Sequence, residues 1–211
     1  MDRDNHNTSL ISKFAVTHIA PDCGIAKCVI SRIIMWMVGW KVTGELPKHK
    51  KFVLIGEPHT SNWDFLLMFG AAYSLRLKVS WLGKHSIFKK PFGTVMRYFG
   101  GMPIDRSAKH NLVQKTSKLL QESESIVIVI GPSGTRSKRE YWKSGFYWIA
   151  YTAKVNILCG SLDFVNKNVH VGLCFLPTGD VKKDMDKIRN FYKGVKGKYP
   201  ELETDIRLKD E

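Results

Sequence analysis

The chain has 211 residues, of which 44% are hydrophobic and 25% charged, so it is an ordinary globular protein with a sizeable core and not a disordered chain. Its formal net charge of +14 indicates an anionic partner, such as nucleic acid, an anionic membrane or a phosphorylated substrate, without choosing among them. Four cysteines form no CxxC pair and no metal-ligand spacing, so we expect reduced thiols, a reducing compartment and no bound metal.

The N-terminal region combines a polar start with one apolar segment. Residues 1–7 lack the apolar stretch of a secretory signal, and the apolar run 33–40 is far shorter than the ~20 residues of a membrane span. Residues 25–40 predict a helix whose broad apolar face carries Ile30, Ile33, Ile34, Met37 and Trp40. This helix either docks in a membrane interface, with its Trp side chains at headgroup depth, or packs as a core helix on a sheet.

After a basic, Pro-containing connection at 41–51, strand and helix patterns alternate. The predicted strands are 52–55, 79–82, 102–104, 125–130, 157–164 and 169–175. The predicted helices are 62–75, 111–121, 141–152 and 181–193, with short helical pieces between 85 and 98. This alternation predicts an α/β layered fold with a mixed, mostly parallel sheet flanked by helices. In such folds, chemistry collects where strands end.

Directly after the first of these strands, His59 and Asp64 stand five positions apart. A histidine base and its orienting carboxylate form such a pair, but on a regular helix the two side chains would point about 140° apart. They meet only if His59 lies in the loop before the helix, with Thr60 or Ser61 as N-cap and Asp64 in the first turn. The alternative is that Asp64 only completes a capping box with Ser61. The spacing alone leaves both alternatives open.

Two further loops follow predicted strands. Residues 100–106 place Asp105 and Arg106 after a short strand, and residues 131–136 combine two Gly, two hydroxyl side chains and Arg136. Converging backbone N–H groups and a guanidinium are suited to holding a phosphate. Each of these features alone is typical of an ordinary turn or a surface charge pair.

Taken in order, these blocks resemble the glycerolipid acyltransferase family, which includes bacterial 1-acylglycerol-3-phosphate acyltransferases. The family's four blocks are His-x4-Asp, a Gly with apolar residues and Ile-Asp-Arg, Pro-Glu-Gly-Thr-Arg-Ser, and an apolar strand that usually carries Pro. They correspond here to residues 59–64, 101–106, 132–137 and 155–158. Ser133 stands in the position of the motif's Glu, and Asn156 stands where Pro is expected. The resemblance covers roughly residues 30–200 and is closest to short, single-domain bacterial members.

The resemblance implies direct acyl transfer from a thioester donor, acyl-CoA or an acyl-carrier protein, to the hydroxyl of a lysophospholipid such as 1-acylglycerol-3-phosphate. His59 would act as general base and Asp64 would orient it. The acceptor would be held by the side chains and loop of Lys84, Arg106, Ser133, Gly134, Thr135 and Arg136. No cofactor besides the donor and no metal is implied, because a thioester is already activated.

Two other interpretations remain open. Ser133 in place of Glu is compatible with an acyltransferase fold that has an altered acceptor or has lost activity. The basic composition also suits a nucleic-acid-binding domain, but the cations are spread along the chain and no nucleic-acid-binding motif is present. We therefore expect a lysophospholipid acceptor, a thioester donor and an anionic membrane surface as partners, rather than nucleic acid.

The expected organisation is one acyltransferase domain over 1–211, with the catalytic α/β core in 51–200 and a membrane-docking helix in 25–40. Such a protein would lie peripherally on the cytoplasmic side of a membrane, attached to one leaflet.

Overall fold

The computed structural model describes residues 19–104, 109–209 and 211, with a seven-stranded sheet at its centre. The strands are β1 (Lys41–Gly44), β2 (Lys51–Glu57), β3 (Ser80–Lys84), β4 (Gly101–Ile104), β5 (Ile126–Ile130), β6 (Asn156–Asp163) and β7 (Asn168–Phe175). Their order across the sheet is β1-β7-β6-β2-β5-β3-β4. The β6–β7 pair is antiparallel and all other neighbouring pairs are parallel. The predicted mixed, mostly parallel sheet is confirmed.

Helices cover both faces of this sheet. They are α1 (Ile25–Met37), α2 (Trp63–Ser74), α3 (Gly93–Tyr98), α4 (Lys109–Glu122), α5 (Gly145–Ala153) and α6 (Val181–Tyr192), with short 3-10 turns at His85–Phe88 and Pro200–Leu202. Along β2, Val53 and Ile55 face the core shared with α4, α5 and α6, whereas Phe52 and Leu54 face the core shared with α2. The sheet is therefore the middle of three layers, which confirms the predicted α/β class.

Strands β2 and β5 are neighbours in the middle of the sheet and are buried on both faces. Five of their side chains have no solvent exposure: Phe52, Val53, Ile55, Val127 and Ile128. Burying one such side chain contributes about 1.5–3 kcal/mol. The unbroken apolar runs in both strands reflect burial on both faces. Because β2 ends at Glu57 and β5 at Ile130, the loops that follow them start from a rigid frame.

Two predicted segments differ in the structure. Residues 41–51 were predicted as a connection, but Lys41–Gly44 forms β1, because it pairs in parallel with the edge of β7 and its short polar sequence carries little signal of its own. The helix predicted at 141–152 begins only at Gly145. Before it, Trp142 forms a bridge with Leu208 and the N–H of Lys143 donates to the carbonyl of Pro132, so tertiary pairing holds this stretch extended.

Helix α1 both packs and exposes apolar surface. Its Met35 is buried against α2, where a Cβ atom on Gly70 would lie 2.6 Å from the Met35 sulfur, so the two helices approach closely. Cys28 is buried as well, but Ile30, Ile33, Ile34, Trp36 and Met37 are all exposed, with Trp36 at 79%. Among the described residues, no helix has the length and apolar character to cross a bilayer.

Candidate active site

The loop after β2 brings His59 and Asp64 into contact. Nδ1 of His59 lies 3.1 Å from Oδ2 of Asp64, with the Asp64 side chain 2% exposed and that of His59 29% exposed. The backbone N–H groups of Thr60 and Ser61 donate to the same oxygen at 2.8 and 2.7 Å. One carboxylate oxygen therefore holds both the course of the loop and the orientation of the imidazole.

The start of α2 departs from the capping box that was the alternative interpretation of the spacing. Oγ of Ser61 accepts the N–H of Trp63, two positions on, at 3.2 Å, and the N-cap of α2 is Asn62, whose side chain makes no cap hydrogen bond. Asp64 accepts the N–H groups of the loop before α2 and contacts His59 through the same oxygen. The loop is also tied to the C-terminal region, because Oγ1 of Thr60 accepts the N–H of Tyr199 at 3.2 Å.

These contacts decide which nitrogen of His59 is free to act. An ionised carboxylate can only accept hydrogen bonds, so Nδ1 of His59 must carry the proton that it donates to Asp64. Nε2 then keeps its lone pair and can accept a proton. The same carboxylate would stabilise the imidazolium that forms.

The third block lies beside this loop. β2 and β5 are parallel neighbours with Ile55 in register with Ile130, so their loops leave the sheet side by side. A Cβ atom on Gly131 would lie 3.8 Å from Cδ2 of His59, so the turn passes close to the imidazole. The turn closes where the N–H of Gly134 donates to the carbonyl of Gly131 at 2.9 Å, and Gly134 has a φ of +66°, which favours glycine.

A buried carboxyl group joins the two loops. Glu57, the last residue of β2, is 5% exposed; its Oε2 accepts the N–H of His59 and its Oε1 accepts the N–H of Ser133, both at 2.8 Å. Burial raises the pKa of Glu57, and hydrogen bonds from Ser133 and His59 oppose that rise. Glu57 was missed in the sequence. Its signal is a charged residue that ends an apolar strand immediately before the first block.

A cavity of about 490 Å³ opens next to the third block. It is lined by Ser133, Gly134, Thr135, Arg139, Glu140, Tyr141 and Lys143. Lys143 approaches the loop backbone closely, since a Cβ atom on Gly134 would lie 2.7 Å from its Nζ. Arg139 and Lys143 give the cavity two cations that the sequence analysis did not single out. Their signal was the density of basic residues that follows the third block.

Of the three cations proposed from the resemblance, Lys84 and Arg136 are not among the residues that line this cavity. Lys84 is exposed at the end of β3, in register with Ile104 at the end of β4. Arg106 lies outside the described residues, and Arg136 is exposed just past the turn. The structure therefore groups His59, Asp64 and the 133–135 turn at one edge of the sheet, and the roles of the three cations stay predictions. Within the described parts of the chain, no three His, Cys, Asp or Glu side chains are grouped to hold a metal ion.

Comparison with known proteins bears on this arrangement. The family model described as Acyltransferase matches residues 40–162, more than half of the chain, and this range includes all four blocks. The fold is similar to that of the 1-acyl-sn-glycerophosphate (LPA) acyltransferase, PlsC, from Thermotoga maritima, with 19% identity, a TM-score of 0.50, and 89% of this chain and 84% of that chain covered. No curated protein matches the chain significantly. The ordered blocks and the family match together show that the chain belongs to the acyltransferase family, which confirms the resemblance described above.

Proposed function

We propose that the protein transfers a fatty acyl group from a thioester donor, acyl-CoA or an acyl-carrier protein, to the hydroxyl of a lysophospholipid such as 1-acylglycerol-3-phosphate. The observation that carries the proposal is the contact between His59 and Asp64 at the end of β2, beside the third-block turn. Membership of the acyltransferase family supports the transfer of an acyl group. The acceptor class is supported by the motif blocks.

In the proposed reaction, Nε2 of His59 accepts the proton of the acceptor hydroxyl as its oxygen attacks the thioester carbonyl carbon. A C–O bond forms and the carbonyl oxygen gains negative charge. When the carbonyl re-forms, the C–S bond breaks, its electron pair leaves on sulfur, and the His59 imidazolium returns the proton to that thiolate. Asp64 keeps the imidazole oriented and stabilises its charged form throughout. The thioester is already activated, so no covalent enzyme intermediate and no further cofactor are needed.

The cavity beside the third block is the proposed place for the acceptor phosphate. Arg139 and Lys143 supply positive charge along its wall, and a guanidinium can bind two phosphate oxygens at once. The turn 133–135 lines this cavity, and Gly131 at the start of the same loop lies close to His59. A phosphate in the cavity is therefore proposed to bring the neighbouring hydroxyl of the acceptor to Nε2. Lys84, Arg106 and Arg136 are proposed to extend the same positive field.

The exposed apolar side of α1 supports a further part of the proposal, that the protein docks on one leaflet of an anionic membrane. Trp36 and its exposed apolar neighbours on α1 suit the interfacial region of a bilayer. Trp63 and Leu66 add exposed apolar surface on α2, the helix that begins directly after the His59 loop. The net charge of +14 would add attraction to anionic lipid.

The test is lipid mass spectrometry after incubation of the purified protein with acyl-CoA or acyl-carrier donors and a panel of lysophospholipids. The parent protein should acylate at least one acceptor, and His59→Ala should remove the product. The matched control is His49→Ala, which changes an exposed histidine before the opposite end of β2 and should keep the parental rate. A folded parent protein that acylates no acceptor would favour the inactive alternative and contradict the proposal.

A further inference from the structure

Glu57 belongs to none of the four motif blocks. It is the last residue of β2, lies two positions before His59, and its side chain reaches across to the loop after β5. Each carboxyl oxygen is committed to a different loop, with Oε2 accepting the N–H of His59 and Oε1 accepting the N–H of Ser133, both at 2.8 Å. The side chain therefore bridges two loops. One is the loop after β2, residues 58–62, here called the base loop, and the other is the loop after β5, residues 131–135, here called the phosphate loop.

Burial makes this an unusual place for a carboxyl group. Glu57 is 5% exposed, and its two oxygens accept the backbone N–H groups of His59 and Ser133. Removal of the carboxyl group would leave both of these N–H groups without a partner in a buried site, which is unfavourable. A residue that only closed the core at the end of β2 would be apolar, as Phe52 and Ile55 are. What the carboxyl group adds is a fixed distance between the two loops.

Position 133 supplies the second half of the argument. The third block of the motif has Glu where this chain has Ser133, and Ser133 is 3% exposed and in hydrogen-bond contact with Glu57. The two positions are neighbours in space, although 76 residues separate them in the chain. A carboxylate is therefore present at the junction of the loops, but it is carried by β2 and not by the third block.

We propose that Glu57 is a positioning residue that holds the base loop and the phosphate loop in register, and that it replaces from β2 the carboxylate that the third block lacks at position 133. The inference rests on the proposed function. It assigns Glu57 no contact with the reacting atoms. Through the N–H of His59 it acts on the place of the base, and through the N–H of Ser133 on the place of the acceptor phosphate.

The first test compares Glu57→Gln and Glu57→Ala by kcat and KM. Gln fills the same volume but presents an NH2 group to one of the two N–H donors, so one loop is released and kcat/KM should fall about tenfold. Ala releases both loops and should lower kcat/KM about a hundredfold. The melting temperature of Glu57→Gln should stay close to the parent's, because the lost hydrogen bond is offset by removal of a buried acid. The control Glu124→Gln, an exposed glutamate paired with Lys50, should match the parent.

The second test is a rescue. In Glu57→Ala/Ser133→Glu the carboxylate returns to the junction from the other loop, so kcat/KM should recover at least about tenfold relative to Glu57→Ala. A purely structural role for Glu57 gives no reason for recovery by a second substitution in a different loop. A folded double variant no faster than Glu57→Ala would overturn the replacement.

The third test needs no turnover, so it separates this inference from the proposed function. Amide hydrogen exchange should show that His59 and Ser133 lose protection together in Glu57→Ala, and that one of them loses it in Glu57→Gln. If Glu57→Ala does not fold, the Gln variant decides. Unchanged protection at both amides, or parental kcat/KM in Glu57→Gln, would refute the bridge. A parent protein without transferase activity would refute the proposed function, and the exchange result would still stand on its own.

Discussion

Two buried carboxyl groups in this molecule are held in opposite ways. Glu57, at the end of β2, accepts the backbone N–H groups of His59 and Ser133, and its burial raises its pKa. Asp184, in the first turn of α6, accepts from the N–H and hydroxyl of Thr178 at 2.7 and 3.0 Å and from the hydroxyl of Tyr147 at 3.0 Å. Lys187 pairs with it at 2.9 Å. Burial also acts to raise the pKa of Asp184, but these hydrogen bonds outweigh it and lower the pKa below its ordinary value.

The two shifts act on stability with opposite sign. The lowered pKa of Asp184 means that it contributes stability above the ordinary carboxyl pKa, and that this contribution is lost as pH falls through the folded-state pKa. The raised pKa of Glu57 means that its contribution is present below the ordinary pKa and is lost as pH rises through the folded-state pKa. At neutral pH, Asp184 therefore stabilises the fold, whereas the contribution of Glu57 to stability falls as the pH rises. A buried carboxyl group whose two oxygens are bound to the two loops of the candidate site is itself a candidate functional group.

The largest expected effect lies on the site side of this comparison. His59→Ala removes the proposed base and should lower kcat/KM by about 100- to 10,000-fold, with little change in melting temperature. Asp64→Asn keeps one oxygen for the N–H donors of Thr60 and Ser61 but removes the charge that stabilises the imidazolium, so its loss should be no larger than that of His59→Ala. The measurement is steady-state kinetics alongside thermal unfolding. Parental activity in His59→Ala would break the distinction between the two regions.

On the structural side, Asp184→Asn should lower the free energy of unfolding by about 2–3 kcal/mol, because hydrogen bonds to a charged group are weakened and the pair with Lys187 is lost. Its stability should also depend less on acid than that of the parent, since a titrating group with a lowered pKa is gone. The control is Asp186→Asn, an exposed partner of Arg189 on the same helix, with a change below about 1 kcal/mol. Denaturant unfolding from neutral to acidic pH measures both. Equal losses in the two variants would contradict the role of Asp184.

A smaller effect is expected for a substitution in the candidate site that changes stability rather than activity. Ser133→Glu with Glu57 unchanged places a second carboxyl group in a buried site beside the first, and should destabilise the fold by about 1–3 kcal/mol. Because one of the two carboxyls can be neutralised by protonation, the loss should grow as pH rises. The control is Ser133→Ala, which keeps the backbone N–H that donates to Glu57 and should lower the free energy of unfolding by less. A Ser133→Glu protein as stable as its parent at every pH would show that the two positions do not compete for one space.

The smallest expected change in fold stability extends the comparison to the surface. Replacing Ile33 and Trp36 together by Ser should leave the free energy of unfolding within about 0.5 kcal/mol, because both side chains are exposed. Binding to anionic vesicles should weaken, and should weaken further with salt. Val165→Ser, an equally exposed apolar position in the turn between β6 and β7, should bind as the parent does. Unchanged flotation of the double variant with vesicles would remove α1 from the membrane proposal.

Local signals made part of the molecule predictable. His59 and Asp64 stand close in the chain and Asp64 follows a helix start, so their contact was within reach of spacing and capping arguments. The apolar runs of β2 and β5 predicted central strands because burial on both faces leaves a direct trace. Strand β1 left no such trace, since its place depends on pairing with β7.

The junction at Glu57 was not predictable for a related reason. Its contact with Ser133 joins residues that are far apart in the chain, and no local sequence pattern at either residue predicts the contact. The same holds for Lys143, whose approach to Gly134 depends on an extended stretch before α5 that the helical pattern of 141–152 concealed. Contacts between distant loops depend on the order of the strands in the sheet, and that order cannot be predicted from any single segment of the sequence.

The contact between positions 57 and 133 also limits how this protein can evolve. A lineage that gained Glu at 133 first would pass through a form with two adjacent buried acids, and a lineage that lost Glu57 first would leave two N–H groups without a partner. Either order crosses a less fit intermediate, so the two sites are expected to change as a pair. Exchange of a single motif block between such homologues would then lower stability or activity, even though the same block is compatible with the rest of its own protein.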